Sequence, residues 1–176
     1  ILTRDKKVVY ILNIANNLIV GVPQFDIAAG DLVARGEAKY ALDGSGIERV
    51  DFTKIAYGRT NMSGSLMPRA DGSWDAGFQG DSFDLSPMWD DILEQMSGSD
   101  KFKNTFLEGL TIVVEMKKIW LDDKIALKDV SGTFARGKDS WATVLLNAQI
   151  SQDSKLELTI QTTRGGNRKL EMRSKN

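Results

Sequence analysis

The sequence predicts a mainly β fold: an antiparallel meander of successive hairpins forming a curved sheet, with one central amphipathic helix packed on it. Three observations predict it. Turn signals such as Asp43-Gly44-Ser45-Gly46, Asp71-Gly72 and Gly165-Gly166-Asn167 recur roughly every ten to fifteen residues. Between them apolar and polar residues alternate, which is the signature of strands with one buried face. A single stretch, about 87–97, carries a clear helical stripe, and no regular alternation of strands with helices suggests a parallel sheet.

Taken in order, residues 7–20 fit either a helical stripe or two strands. Their β-branched content and the Asn16-Asn17 turn favour strands. Pro23 makes 24–28 an edge or irregular strand. From Leu32 the alternation is clear, with Leu32, Ala34, Gly36, Ala38, Tyr40 and Leu42 on one face and Val33, Arg35, Glu37 and Lys39 on the other. A strand at 47–56 carries Val50 and Phe52. Tyr57-Gly58-Arg59 then reverses the chain into 60–67, and Asp71-Gly72 closes a hairpin leading to Trp74, Ala76 and Phe78.

Ser86 is placed as a helix N-cap, with Pro87 at the first helical position and Asp90 and Asp91 near the positive end of the dipole. Met88, Ile92 and Met96 supply the apolar stripe. Leu110, Ile112, Val114 and Met116 resume the alternation. Asp122-Asp123-Lys124 turns the chain, and strands follow at 125–135, 141–150, 155–163 and 168–173. Ser63-Gly64-Ser65-Leu66 leading to Trp74 is echoed by Ser131-Gly132-Thr133-Phe134 leading to Trp141. The chain is read as one domain, 1–176, that admits two similar β units, 1–106 and 107–176. It starts at Ile1 and shows no signal-peptide pattern, so it is read as a fragment of a longer protein, with its flanking segments as natural neighbours.

Composition removes several function classes. With 23 basic against 24 acidic residues the net charge is −1, which offers no field for nucleic acid. Cysteine and histidine are both absent, so disulfides, thiolate nucleophiles, His triads and His-ligated metals are excluded, and no cofactor site is expected. No apolar run is long enough to span a bilayer as a helix. Asp90 with Asp91 and Asp122 with Asp123 are adjacent pairs, better suited to a helix start and a turn than to acid/base work. Gly44-Ser45-Gly46 is a turn. Lys117 and Lys118 beside Trp120 fit a strand edge, Trp74, Trp89 and Trp141 fit apolar stripes, and the basic end around Arg164, Arg168, Lys169, Arg173 and Lys175 fits a solvated edge strand.

Gly58-Arg59-Thr60, Asp71-Gly72-Ser73-Trp74, Gly80 and Phe83-Asp84-Leu85-Ser86-Pro87 together resemble a pattern of AsmA-like proteins of Gram-negative bacteria. The pattern belongs to the domain of unknown function just before their C-terminal AsmA-like region. Residues 30–36 and Leu127-Lys128-Asp129-Val130-Ser131-Gly132 agree with it, and the resemblance runs over most of 30–173. It implies a periplasmic segment of a parent anchored to the inner membrane, with no enzymatic activity. That segment would be a curved sheet whose apolar groove shields phospholipid acyl chains, serving lipid transport or outer-membrane assembly. Leu32, Ala34, Ala38, Tyr40, Leu156, Leu158 and Ile160 are candidates to line such a groove, and they equally fit an ordinary core under the helix. The alternative function is a structural or scaffolding module pairing through its sheet edges with other segments or partner proteins.

Overall fold

A computed structural model describes residues 24–41, 46–88, 109–137, 141–151, 153–162 and 167–175. Ten strands make one sheet, and their order in it follows the chain from β1 to β10. They are β1 (Gln24–Ala29), β2 (Leu32–Tyr40), β3 (Ile47–Tyr57), β4 (Thr60–Pro68), β5 (Trp74–Asp84), β6 (Leu110–Trp120), β7 (Ala126–Arg136), β8 (Trp141–Gln149), β9 (Lys155–Thr162) and β10 (Arg168–Lys175). The extensive contacts are all between hydrogen-bonded neighbours, so the described strands form a single layer.

Short turns explain the consecutive order. At the β4–β5 turn the Asp71 carboxylate accepts from the Ser73 amide at 2.9 Å and Gly72 takes φ +83°, a conformation costly for any side chain. At the β6–β7 turn Asp122 accepts from the amides of Lys124 and Ile125, both at 2.6 Å. Asp122 is therefore a turn-maker, as the sequence suggests.

Two parts of the expected fold are corrected. The first is the helix. Among the described residues there is no α-helix, and Ser86-Pro87 opens only a single 3-10 turn, Ser86–Met88. The hydroxyl assigned to a helix cap is engaged elsewhere: Ser86 Oγ donates to Asp84 Oδ1 at 2.6 Å and accepts from Arg59 Nη2 at 3.1 Å. The rest of the expected helix, including Trp89, Asp90 and Asp91, lies outside the described residues, as do the strands expected within 7–20 and the residues of the Gly44-Ser45 turn.

The second correction concerns the meander. All neighbouring strands are antiparallel except β5 and β6, which run parallel from Trp74↔Leu110 to Asp84↔Trp120. A parallel pair needs a crossover of a dozen or more residues, which the segment between Asp84 and Leu110 provides. Its two ends are tied down: Leu85 N donates to Trp120 O at 2.9 Å and Trp74 N donates to Gly109 O at 3.4 Å.

The buried core sits where the two antiparallel halves meet. Met116, Ile119, Leu127, Val130 and Ala148 form it, with Met62, Phe78, Phe83, Leu85, Leu121, Leu146 and Leu156 packed around them. Strict alternation would place Leu127 and Val130 on opposite faces. Register irregularities resolve this. They occur between Phe52 and Ile55 on β3, at Asn61/Met62 against β5, and between Lys128 and Ser131 on β7, where Asp129 takes φ +46°. Each such bulge shifts the alternation by one residue, so apolar side chains spaced three apart stay on one face.

Candidate functional site

The registers align apolar residues into rows that run across the strands. One row crosses all ten: Phe25, Gly36, Phe52, Gly64, Phe78, Val114, Gly132, Leu146, Leu158 and Met172. A parallel row runs from Ala38 through Val50, Leu66, Ala76, Ile112, Phe134, Val144 and Ile160 to Leu170. A third links Ile27, Ala34, Ile55, Met62, Gly80, Met116 and Val130, with Ala148 and Leu156 paired beyond the β7 bulge. One face of the sheet is thus apolar from the first strand to the last.

Glycines in the longest row make space for aromatic rings. A Cβ at Gly36 would come within 2.6 Å of Phe25 Cζ, and one at Gly64 would overlap Phe78 Cδ1 and the Gly77 carbonyl. The rings of Phe25 and Phe52 meet edge to face across Gly36, with centroids 5.6 Å apart. Most of the face is buried or half-buried. Its last members on β10 are the exception, Leu170 being 63% and Met172 70% exposed.

The opposite face is ionic. Arg35 pairs with Asp26 at 3.0 Å, Arg49 with Asp51 at 2.6 Å, Lys117 with Asp81 at 2.7 Å and Lys169 with Glu171 at 2.5 Å. Lys117 and Lys169 hold their partner carboxylates below the usual carboxylate range. Exposed pairs of this kind add little stability. They do keep this face wetted. A shallow depression of about 620 Å³ opens beside the Lys117–Asp81 pair, lined by Ser63, Gln79, Glu115, Asp129 and Ser131 among others. Among the described residues no three acidic side chains come close enough to hold a metal.

A separate cluster gathers at the end of the sheet. Arg59 Nε and Nη2 donate to the two oxygens of Asp84 at 2.8 and 3.0 Å, and Nη1 donates to the Asp122 carbonyl at 3.2 Å. Its guanidinium lies 4.7 Å from the Trp120 ring centroid, and Lys118 Nζ lies at the same distance. Ser82 Oγ donates to Arg59 O at 2.5 Å, and Asp84 N donates to Thr60 Oγ1 at 3.0 Å. Asp84 is held below the usual carboxylate range, first by the Arg59 hydrogen bonds, against the opposing effect of its burial. The residues that carry the AsmA-like resemblance here bond to one another, and their geometry is that of a structural clasp.

The seven residues expected to line a groove share the apolar face but fall into two groups. Leu32, Ala34, Ala38 and Tyr40 lie on β2, and Leu156, Leu158 and Ile160 on β9, with six strands between them. Ala34, Ala38 and the three β9 residues are members of the rows; Tyr40 stands at the margin, 46% exposed. Sequence reasoning put Gly36, Phe52 and Phe78 on the apolar sides of their strands but did not count them, Phe25 or the other glycines of this row among the groove candidates. Their signal, an aromatic or glycine at one fixed point of each early strand, becomes visible only once the register is known.

Compared with protein-family models, curated proteins and solved structures, the chain matches none. The functional reading therefore rests on the two unlike faces of the sheet and on the sequence resemblance.

Proposed function

We propose that this chain is a non-enzymatic periplasmic β-domain of an AsmA-like envelope protein, and that its apolar face shelters the acyl chains of phospholipid during transport or outer-membrane assembly. The observation that carries the reading is the continuity of the apolar rows. Ten strands at about 4.8 Å spacing give an uninterrupted path of roughly 43 Å, and a hydrocarbon chain laid along it regains about 0.8 kcal/mol per methylene removed from water. The resemblance of 58–87 to AsmA-like proteins supports the same reading, including an inner-membrane-anchored parent.

The test separates the two faces at neighbouring positions. A photoactivatable phenylalanine analogue is placed at Leu146 or Leu158 on the apolar face, and at Leu145 or Val113 on the ionic face. The longer protein is cross-linked in cells, and adducts are identified by mass spectrometry. The proposal expects phospholipid adducts at the first pair and none at the second. Equal labelling of both faces, or protein adducts alone at Leu146 and Leu158, would overturn it.

A further inference from the structure

Among the described residues the sheet has two open edges, the outer sides of β1 and β10. Leu170 and Met172 on β10 are the most exposed large apolar side chains described, although they close rows that are otherwise mostly buried or half-buried. Chirality decides what each edge offers. In a strand of L-residues the N–H and C=O of one residue point toward the same neighbouring strand, and for a given strand direction the face that holds its side chain fixes which neighbour that is. β5 supplies the reference: Trp74 N, on the apolar side, donates to Gly109 O toward β6, and Leu85 N donates to Trp120 O. An unbroken antiparallel series leads from β5 to β1 and another from β6 to β10, each with an even number of reversals, so β1 and β10 both run in the direction of β5. Leu170 and Met172 therefore turn their backbone groups outward from β10. On β1 Phe25 and Ile27 bond to β2, and the outward groups are those of Gln24, Asp26 and Ala28. No register shift interrupts β1–β2 or β9–β10.

One edge is thus the complement of the other. Side by side with their apolar faces level, β10 and β1 run parallel, as β5 and β6 already do within the molecule. With Leu170 beside Ile27 and Met172 beside Ala29, Leu170 N meets Asp26 O and Ala28 N meets Leu170 O, the pattern by which Trp74 N meets Gly109 O. The same register sets Lys169 beside Asp26 on the ionic face. Sliding β1 by two residues would set Glu171 beside Asp26 instead, and like charges at such positions are destabilising. On β10 Lys169 and Arg173 share the single carboxylate of Glu171, so Asp26 brings the second anion to a group of two cations. Two β10 edges fit worse: antiparallel, with Leu170 against Met172, they set Lys169 against Arg173.

We infer that β10 of one copy pairs in parallel with β1 of a second copy, so that the sheet and its apolar face continue from copy to copy. The contact is head-to-tail and leaves a β1 and a β10 free at the two ends, so the product is a series that lengthens with concentration. This goes beyond the lipid-sheltering reading and needs no lipid.

The test exploits the absence of cysteine from the chain. Full-length Leu170→Cys and Ile27→Cys proteins are oxidised separately and mixed, and covalent dimers are read on a non-reducing gel. The mixture is expected to yield a dimer that neither protein forms alone. Ala28→Cys with Glu171→Cys reads the same register from the ionic face and substitutes if Ile27→Cys does not fold. In sedimentation, Lys169→Glu, which sets like charges side by side, is expected to weaken self-association about tenfold, and adding Asp26→Lys to restore it. A mixture that yields no dimer, Leu170→Cys protein that dimerises by itself, or a wild type that sediments as a monomer at every concentration overturns the inference. Because no lipid enters the measurement, each of these results leaves the lipid-sheltering reading standing.

Discussion

Arg59 links four parts of the chain that are far apart in sequence: its own turn, Asp84 at the end of β5, Ser86 at the start of the crossover, and the Asp122 carbonyl of the β6–β7 turn. Lysine cannot replace this arrangement, because a single ammonium lacks the fork that meets both Asp84 oxygens. Arg59→Lys is therefore expected to lower the melting temperature by a few degrees. The pH dependence follows from the depressed pKa of Asp84. Its stabilising contribution is fully present above its ordinary value of 3.8 and is lost as pH falls through the lower folded value. Asp84→Asn should thus melt below wild type at pH 7, and the gap should close as pH drops below that ordinary value; calorimetry across pH 2 to 7 checks both. The sequence displayed Gly58-Arg59 and Phe83-Asp84 as separate signatures. That they form one cluster was not legible, because the partners are 25 residues apart and only the β4–β5 pairing brings them together.

At the scale of elements, the strands and their tight turns were largely legible and the parallel crossover between β5 and β6 was not. Alternation fixed which side of β2, β6 and β9 is apolar, since period two is a local property. Bulges escaped it: Leu127 to Val130 breaks the period in a way that makes sense only against the neighbouring strand β8. Ser86 reads as a helix cap for a related reason, since nothing local in the sequence shows that Asp84 and Arg59 engage its hydroxyl and that Ser86–Met88 forms only a 3-10 turn. Paired glycine substitutions test the row geometry. Gly64→Ala forces a methyl into Phe78 and the Gly77 carbonyl, so a loss of about 1 to 3 kcal/mol is expected from overpacking. Gly77→Ala, one strand over on the ionic face, has nothing within 4 Å of the added methyl and should leave stability nearly unchanged. Urea denaturation of the two variants side by side distinguishes a register-specific clash from a general intolerance of glycine replacement.

For the whole molecule, the core cluster bridges the parallel junction, drawing Met62, Phe78 and Phe83 from one antiparallel half and Met116, Leu127, Val130 and Ala148 from the other. The two halves are therefore expected to unfold together. Met116→Ala, at a site only 4% exposed, should cost about 2 to 4 kcal/mol and move the fluorescence of Trp74 and of Trp141 by the same amount. Separate transitions for the two tryptophans, resolved by single-Trp variants, would show instead that each half stands alone. The parallel junction has one further effect. Because β5 and β6 point the same way, β6 to β8 repeat the up-down-up heading of β3 to β5. A three-strand block could accordingly be inserted at this seam or removed from it without reversing any strand downstream, so the polypeptide can change its span by threes while every later side chain keeps its orientation toward oil or water.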